Sequence, residues 1–369
     1  MSRVAASLPL LLALAVLGAC SSDDLRTPAG VRAAAAAASC ADAFDPAKLA
    51  AGQDCRPRAG TYCEAGDGLG VLQREPIPCD GVFVMQRSAD AADLHSDYLV
   101  LGADSGEYEA ILVALHYLQA NAGTFVNVTR LTEIAKARKA LIVVPQAPSV
   151  FTSVVDLGVG GNLLSRWPTG SLEPIDAYVA LVKAVVADAR SAFNLPGVPA
   201  YAAGLSNGAT MAYHLACRAP EQFSAILVVA GGLGAEILDN CQPARPVGTV
   251  VVHGTADLLA PYAGLPLLSA SIPGIHSRFE TLNGCSGSES TAAMPVRAND
   301  TMVVDFRYRT SCTSGRRSYL VTVASGGHNW PGGPASDSLL ATLGLFGPHT
   351  MNFDATVQGY DLLRLAAGP

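Results

Sequence analysis

The sequence predicts an α/β fold in which a mostly parallel central sheet carries helices on both faces. From about residue 80 onward, short apolar runs alternate with longer runs of helical periodicity, which is typical of parallel strands joined by crossover helices. A Gly-x-Ser-x-Gly sequence lies between one such strand and the following helix, and an Asp and a His follow later strands. The chain of 369 residues is long enough for one large domain of this kind with additions, or for two domains.

The apolar runs place the individual elements. Helical spacing is clearest over 174–193, where apolar residues recur three or four positions apart and so share one face. Strands are predicted at 82–85, 98–101, 111–115, 140–144, 200–204, 225–229, 247–252, 301–307 and 318–323. Further helices are predicted at 124–138, 208–217 and 272–282.

Residues 1–19 have the features of a secretory signal peptide. Arg3 precedes an apolar run of about ten residues, which is short for a membrane span, and small residues close the run. The sequence Leu17-Gly18-Ala19-Cys20 is similar to a bacterial lipobox, in which Cys20 is acylated and anchors the mature protein. Plain secretion with cleavage near Ala19 is the alternative. We therefore expect an exported protein, lipid-anchored to the bacterial cell envelope or secreted.

Export is consistent with the remaining cysteines. Residues 20–39 are predicted to be a flexible tether, 40–80 a Cys-rich segment held mainly by disulfides, and 81–369 the catalytic domain. Eight of the nine cysteines remain once Cys20 is set aside, and four disulfides are the simplest interpretation in an oxidising compartment. None of the eight has the C-x-x-C spacing or paired His of a structural zinc site, so no metal is expected.

The composition limits the classes of partner. Charged residues make up 15% of the chain and the net charge is −7. Binding to nucleic acid requires a clustered Lys and Arg footprint, so nucleic acid is not expected as a partner. A chain so poor in charge suits an uncharged substrate.

The segment Gly204-Leu205-Ser206-Asn207-Gly208 predicts a nucleophilic serine. Between a strand and a helix, this sequence forms a tight turn that lifts the serine hydroxyl above the sheet. The helix that follows directs free N–H groups to the place where an oxyanion would form. Ser206 is therefore the predicted nucleophile.

An acid and a base follow in the chain order of the α/β-hydrolase fold, which is Ser, Asp, His. Asp257 follows the strand predicted at 247–252, and the carboxyl ends of such strands form the functional edge of an open sheet. His328 follows the strand predicted at 318–323, and glycines on both sides give it room to reach the serine. Asp257 is therefore predicted to orient the base and His328 to be the base, with a loop-capping role as the alternative for Asp257.

Three motifs carry a family resemblance over roughly residues 105–335. Residues 203–209, His253-Gly254-Thr255-Ala256-Asp257 with Pro261-Tyr262, and 326–332 (Gly-Gly-His-Asn-Trp-Pro-Gly) resemble the polyhydroxybutyrate depolymerase family of esterases. That family also includes feruloyl and acetyl xylan esterases and similar lipoproteins. The resemblance implies the same triad; separately, no cofactor is expected. It also implies disulfides Cys217–Cys241 and Cys285–Cys312, which leaves Cys40, Cys55, Cys63 and Cys79 to pair among themselves.

The chain departs from the family where Leu-His-Gly is usual, because Tyr117 follows Leu115-His116. Tyrosine does not readily adopt a positive φ, so we expect an oxyanion hole of different shape. The predicted donors are the N–H of Asn207 and the N–H of Tyr117 or Leu118, with the Tyr117 ring over the acyl pocket. His116 is expected to be a structural residue that bonds the loop.

The only two tryptophans are candidates for the substrate cleft. Trp330 lies two residues from the predicted base and is predicted to wall the cleft. For Trp167, cleft lining and core packing are both open.

Together these features predict an exported serine esterase. The expected substrate is a polyester such as polyhydroxybutyrate, with a feruloyl or acetyl ester of plant polysaccharide as the alternative. Peptidase activity on the same triad is a further enzyme alternative. A non-catalytic lipoprotein that uses the fold as a binding scaffold is the competing class, and Tyr117 is the feature that favours it.

Overall fold

A computed structural model describes residues 44–51, 75–77, 79–148, 165–170, 172–296, 299–334 and 344–369. Ten strands form one sheet in the order β1-β2-β4-β3-β5-β6-β7-β10-β9-β8. In chain order the strands are β1 (Val82–Ala91), β2 (Leu94–Ala103), β3 (Ala110–Leu115), β4 (Ala140–Pro145), β5 (Ala200–Leu205), β6 (Phe223–Val229), β7 (Gly248–Gly254), β8 (Ser290–Ala293), β9 (Val304–Arg309) and β10 (Ser318–Val323).

The centre of the sheet is parallel and both edges are antiparallel. The pairs from β4 through β3, β5, β6 and β7 to β10 are all parallel. The first edge, β1-β2, joins β4 in antiparallel orientation, and the second edge, β9-β8, joins β10 in the same way. Central strands β3, β4, β5 and β7 are buried along their whole length because helices cover both faces.

Seven α-helices are described. They are α1 (Ala122–Thr129), α2 (Thr132–Ala137), α3 (Ile175–Ala192), α4 (Asn207–Arg218), α5 (Ala235–Asp239), α6 (Ile272–Leu282) and α7 (Val357–Ala367). The core has two parts: α1, α2 and α7 contribute to one, and α3, α4 and α6 to the other. Alternate side chains of the strands enter opposite parts, as Leu227 and Val228 of β6 do. This architecture is the α/β-hydrolase fold that the sequence predicts.

Several predicted elements differ in their bounds. The helix predicted at 124–138 is two helices, because Arg130 adopts a left-handed conformation (φ 52°) and ends α1. The strand predicted at 301–307 begins at Val304. Strand β8 and helices α5 and α7 were not predicted.

Both disulfides that the resemblance implies are present. Cys217, in the last turn of α4, is bonded to Cys241, and Cys285 is bonded to Cys312. Cys79 is also disulfide-bonded. Cys40, Cys55 and Cys63 lie outside the described residues, so their predicted pairing with Cys79 stays a prediction.

The predictions for the N-terminus also lie outside the described residues. They are the signal peptide at 1–19, the acylated Cys20 and the tether at 20–39. Within the described part of the chain, none of the helices combines the length and the apolar character that a membrane span requires.

Candidate active site

The three predicted triad residues follow three parallel strands at the same edge of the sheet. Ser206 directly follows β5, Asp257 comes three residues after β7, and His328 comes five residues after β10. Strands β5, β6, β7 and β10 are neighbours in the sheet and run in parallel. Their carboxyl ends therefore bring the serine, the acid and the imidazole to one edge.

Ser206 occupies a strained turn between β5 and α4. Its backbone has φ 56° and ψ −117°, and its N–H donates to the carbonyl of Val229 on β6 at 2.9 Å. The flanking glycines are required by close approach. A Cβ on Gly204 would lie 2.3 Å from the carbonyl of Gly208, and a Cβ on Gly208 would lie 2.0 Å from the carbonyl oxygen of Leu115. The turn thus fits only this glycine pattern.

The carboxylate of Asp257 is buried and bonded by donors on both oxygens. Oδ1 accepts from the N–H groups of Leu259 (2.9 Å) and Ala260 (2.8 Å). Oδ2 lies 2.8 Å from Nδ1 of His328 and 3.2 Å from Nε2 of His253. Three of these contacts are hydrogen bonds, and the fourth is the close approach of a ring nitrogen that also bonds the carbonyl of Ala260, so the carboxylate is held at both oxygens.

These contacts also set the charge of Asp257. Burial alone raises the pKa of the carboxyl group, but hydrogen bonds from His253 and His328 outweigh burial and hold the pKa below its ordinary value. Asp257 is therefore an anion at neutral pH. It can stabilise a positive charge that develops on His328.

His328 is held by its backbone as well as by the acid. Its N–H donates to the carbonyl of Phe346 at 2.6 Å, and its ring packs on the ring of Phe346 with centroids 5.8 Å apart. Nδ1 is engaged by Asp257, which leaves Nε2 as the nitrogen that could accept a proton from serine. The side chain is only 6% exposed, so the ring lies in a largely dehydrated environment.

The loops that carry the acid and the base are bonded to each other. The N–H of Ala256 donates to the carbonyl of Gly326 at 2.8 Å, and the N–H of Ser325 donates to the hydroxyl of Thr255 at 2.8 Å. The two residues of the acid and base pair are thus placed by one continuous hydrogen-bonded unit.

The loop after β3 is organised by His116, which is completely buried. Nδ1 lies 2.8 Å from the carbonyl of Tyr117, and Nε2 accepts from the N–H of Ala147 at 3.0 Å. Burial lowers the pKa of His116 to about 4, so the ring is neutral with its proton on Nδ1. The structural role predicted for His116 agrees with these contacts.

The left-handed residue of this loop is Gln119 (φ 66°), two positions after Tyr117. Tyr117 itself has no positive φ, and its ring packs edge-on against Phe125 at the margin of the core. The backbone turn that a glycine would make is therefore displaced along the chain. That the N–H of Tyr117 or Leu118 serves the oxyanion stays a prediction, as does the position of the Tyr117 ring over an acyl pocket.

Asn207, the residue after the predicted nucleophile, bonds a neighbouring loop through its side chain. Oδ1 accepts from the N–H of Trp167 at 2.7 Å, and Nδ2 donates to the carbonyl of Trp167 at 2.9 Å. Asn207 is the first residue of α4, so its own N–H has no partner within the helix. This geometry is compatible with the predicted donation to an oxyanion.

The prediction that Trp330 and Trp167 wall the cleft is wrong. Trp330 is 3% exposed, and its indole N–H donates to the hydroxyl of Thr356 at 2.9 Å. Trp167 is 0% exposed, and its indole N–H donates to the carbonyl of His116 at 3.0 Å. Both rings lie in the core because partners there satisfy their polar ends. The core alternative that was open for Trp167 is correct.

His253, which the sequence indicated only as part of a motif without a role of its own, contacts the predicted acid. This residue is buried at the end of β7, and its Nε2 contacts Asp257 from the side opposite the backbone donors of Leu259 and Ala260. A histidine four residues before a predicted catalytic acid, at the end of a buried strand, is the signal that could have identified it.

One group of side chains has the geometry to surround a metal ion. His276, Glu280 and Glu289 place their ligand atoms within 4.8 Å of one another. Arg309 already pairs with Glu280 at 3.1 Å, and Arg307 pairs with Glu289 at 2.9 Å. We interpret the group as an ion-pair network, because two guanidinium groups neutralise the carboxylates that a cation would need.

No protein-family model matches the sequence. Parts of the chain are, however, similar to known proteins. The chain is 31% identical over 180 residues to NocK of Nocardia uniformis subsp. tsuyamanensis, which is named as an esterase. That match covers 45% of this chain and 52% of NocK, so it spans about half of the relative. It is also 28% identical over 108 residues to a protein of Aspergillus flavus named as feruloyl esterase C, covering 29% of this chain and 36% of that protein.

An acetyl xylan esterase from Aspergillus awamori matches with a TM-score of 0.47 and 13% identity, covering 67% of this chain and 94% of that one. A similarity of this size carries no argument about activity.

Proposed function

We propose that this protein is a serine hydrolase of carboxylic esters with Ser206 as nucleophile, His328 as base and Asp257 as the acid that orients the base. The observation that carries the proposal is the 2.8 Å contact between Nδ1 of His328 and Oδ2 of Asp257, at the sheet edge where Ser206 occupies its left-handed turn. Two relatives named as esterases support the same class.

The residues would act in a two-step acyl transfer. Ser206 attacks the ester carbonyl while Nε2 of His328 takes the hydroxyl proton, and the anionic Asp257 stabilises the imidazolium. The tetrahedral oxyanion is held by backbone N–H groups, among which we place that of Asn207. The imidazolium then returns its proton to the leaving alcohol, and the C–O bond of the ester breaks. Water, deprotonated by His328, releases the acid from the acyl-enzyme.

Replacement of the nucleophile tests this mechanism. We expect Ser206→Ala to reduce hydrolysis of a short p-nitrophenyl ester by roughly 10⁴-fold or more, because alanine lacks the hydroxyl that forms the acyl-enzyme. Thr210→Ser, in the next turn of α4, serves as a control for helix perturbation. Undiminished turnover in Ser206→Ala would contradict the mechanism, and an inactive wild-type protein would favour the binding scaffold.

For the substrate, we propose a water-insoluble polyester of the polyhydroxybutyrate kind. The loop from Asp257 to α6 exposes several leucines: Leu258 (66% exposed), which directly follows Asp257, and further along the loop Leu267 (99%) and Leu268 (71%). Exposed apolar side chains beside a catalytic edge suit adsorption to an apolar solid. Both tryptophans of the chain are buried, so neither offers a ring on which a sugar could stack.

A feruloyl or acetyl ester of plant polysaccharide is the second candidate. The relative named as feruloyl esterase C favours it. A panel separates the two: release of 3-hydroxybutyrate from amorphous polymer against release of ferulate and acetate from esterified xylan. We expect the polymer to be the better substrate, and preferential release of ferulate or acetate would replace the polyester proposal with the second one.

We also propose that the protein is exported and anchored through Cys20. The support is the lipobox-like sequence at residues 17–20. Metabolic labelling with a palmitate analogue tests the anchor: wild-type protein should be labelled and Cys20→Ala should not. An unlabelled wild-type protein in the culture medium would favour plain secretion.

A further inference from the structure

We propose that His253 is a positioning residue of the triad, whose Nε2–H holds the carboxylate of Asp257 and the turn behind it in the orientation that His328 requires. The inference rests on the proposed function. His253 is a second buried histidine beside the acid, and its role does not involve contact with the substrate.

The contacts of His253 converge on the acid. Its Nε2 lies 2.7 Å from the carbonyl oxygen of Ala260 and 3.2 Å from Oδ2 of Asp257. Ala260 in turn donates its N–H to Oδ1 of Asp257 at 2.8 Å. One ring nitrogen thus bonds the turn and contacts the carboxylate, while the turn itself bonds the other carboxylate oxygen.

The tautomer of His253 follows from these partners. Both groups near Nε2 are acceptors, so Nε2 carries the proton. Nδ1 is buried and has no hydrogen-bond partner among the residues that the structure describes. His253 therefore acts as a donor through Nε2–H.

The surroundings identify the groups that can influence the acid. His253 faces Asp257 from β7, and His328 faces it from the loop after β10. Tyr262, from the loop after Asp257, packs edge-on against the His253 ring with centroids 6.0 Å apart, and its hydroxyl bonds Thr322 of β10 at 3.0 Å. Among the residues that the structure describes, the two imidazoles are the titratable side chains in direct contact with the carboxylate.

Loss of the His253 donor has a predictable sign. Oδ2 would keep only His328 as a donor, so the negative charge would be shared less and would attract the proton of His328 more strongly. The imidazolium form of His328 would be stabilised by the more basic carboxylate, and the acid limb of kcat/KM would move to higher pH. The turn at Ala260 would also lose its bond, which lowers kcat. KM should not change, because the His253 side chain is completely buried and cannot reach the substrate.

The experiment compares His253→Leu, which removes the donor, with His253→Gln, whose amide can place an N–H near the position of Nε2. Rates on a soluble p-nitrophenyl ester are measured from pH 4.5 to 9. For His253→Leu we expect kcat to fall roughly tenfold at constant KM, as is usual when a supporting partner is lost. The midpoint of the acid limb should move to higher pH by about half a pH unit or more. His253→Gln should return the acid limb to the wild-type position.

The matched control is a buried histidine of α6 that contacts the amino-terminal end of β10, away from the sheet edge that carries the triad. His276 is 1% exposed and lies 3.4 Å from the hydroxyl of Ser318, the first residue of that strand. His276→Leu should lower thermal stability and leave the acid limb in place. An acid limb at the wild-type position in folded His253→Leu would overturn the proposal, whatever the change in kcat.

Two further measures keep the test decisive. If His253→Leu does not fold, His253→Met, which also lacks a donor but is more flexible, takes its place in the same comparison. Failure of the proposed function is distinguished because it would appear as an inactive wild-type protein or as an active Ser206→Ala variant. Failure of the inference would appear as an active wild-type protein whose acid limb does not depend on His253.

Discussion

Two buried histidines stand at the carboxyl ends of two central strands, and they have different tasks. His116 follows β3 and His253 is the penultimate residue of β7, and each is at most 1% exposed. The ring of His116 bonds the backbone of Tyr117 and Ala147, and the amide of Gln146 lies 3.1 Å from its Nε2. His253 bonds one carbonyl and contacts the acid of the triad.

The comparison shows that burial and position do not decide the role of a histidine. Both nitrogens of His116 have partners, so its ring shapes a loop. One nitrogen of His253 faces Asp257 and the other has no partner within the described part of the chain, so its contribution goes to the charge and orientation of that carboxylate. The partner atoms separate a structural histidine from a functional one.

The largest expected effect concerns the acid that His253 supports. We expect Asp257→Asn to lower kcat by roughly 10³–10⁴-fold. All four contacts of the carboxylate are donors, so the amide would set its own N–H against at least one of them or force His328 into the wrong tautomer. Kinetics on a soluble ester measure the loss. A loss no greater than that of His253→Leu would mean that Asp257 is not the acid of the triad.

The next effect concerns stability and tests the structural role of His116. Burial lowers the pKa of His116 in the folded protein to about 4. Between pH 6.5 and 4 this imidazole is therefore protonated in the unfolded chain but neutral in the folded protein. The free energy of unfolding therefore falls as the pH drops through this window, by an amount on the order of 3 kcal/mol from this residue. His116→Gln should remove that part of the pH dependence.

Urea unfolding at pH 7, 5 and 4 measures the difference between wild type and His116→Gln. Burial also lowers the pKa of His214 to about 4, so an acid-induced loss from that residue should remain in both proteins. At pH 7 the kcat of His116→Gln should stay within about threefold of wild type, since only an indirect contact with the site is changed. Identical pH profiles of stability would show that His116 does not resist protonation.

The smallest expected effects come from the outer surfaces of the same two loops. Leu118 (46% exposed) belongs to the His116 loop, and Leu258 (66% exposed) belongs to the loop of the acid. If each leucine partly buries itself on a polymer surface, Leu118→Ser and Leu258→Ser should each slow release from amorphous polyester about fivefold, which corresponds to about 1 kcal/mol. Rates on a soluble ester should remain within twofold, because serine at either position keeps the backbone N–H, including that of residue 118 predicted to face the oxyanion. Equal losses on both substrates would assign these leucines to folding instead.

The sequence predicted the structure well where the backbone geometry requires particular residue types. Gly204 and Gly208 predict the turn of Ser206, because a Cβ at either position would collide with backbone atoms. The apolar runs predicted the parallel strands β3, β4, β5, β6, β7 and β10, since a strand buried on both faces needs a continuous apolar stretch.

The sequence was a poor guide where the outcome depends on distant partners. The indole of Trp330 lies in the core because Thr356, 26 residues away, accepts its N–H. The contact of His253 with Asp257 depends on how the turn at Ala260 folds back on β7. Helix α7 was missed although it packs beneath the sheet, because its apolar residues are interrupted by Gln358, Gly359 and Asp361. Each of these features is set by tertiary contacts.

The central claim is that the sheet edge activates one serine, and covalent labelling tests it most directly. The wild-type protein is treated with a fluorophosphonate at pH 7, and intact mass and peptide mapping locate the adduct. We predict one adduct on the peptide that contains Ser206, no adduct in Ser206→Ala, and much slower labelling in Asp257→Asn. A wild-type protein that stays unlabelled, or that is labelled at another residue, would contradict the account.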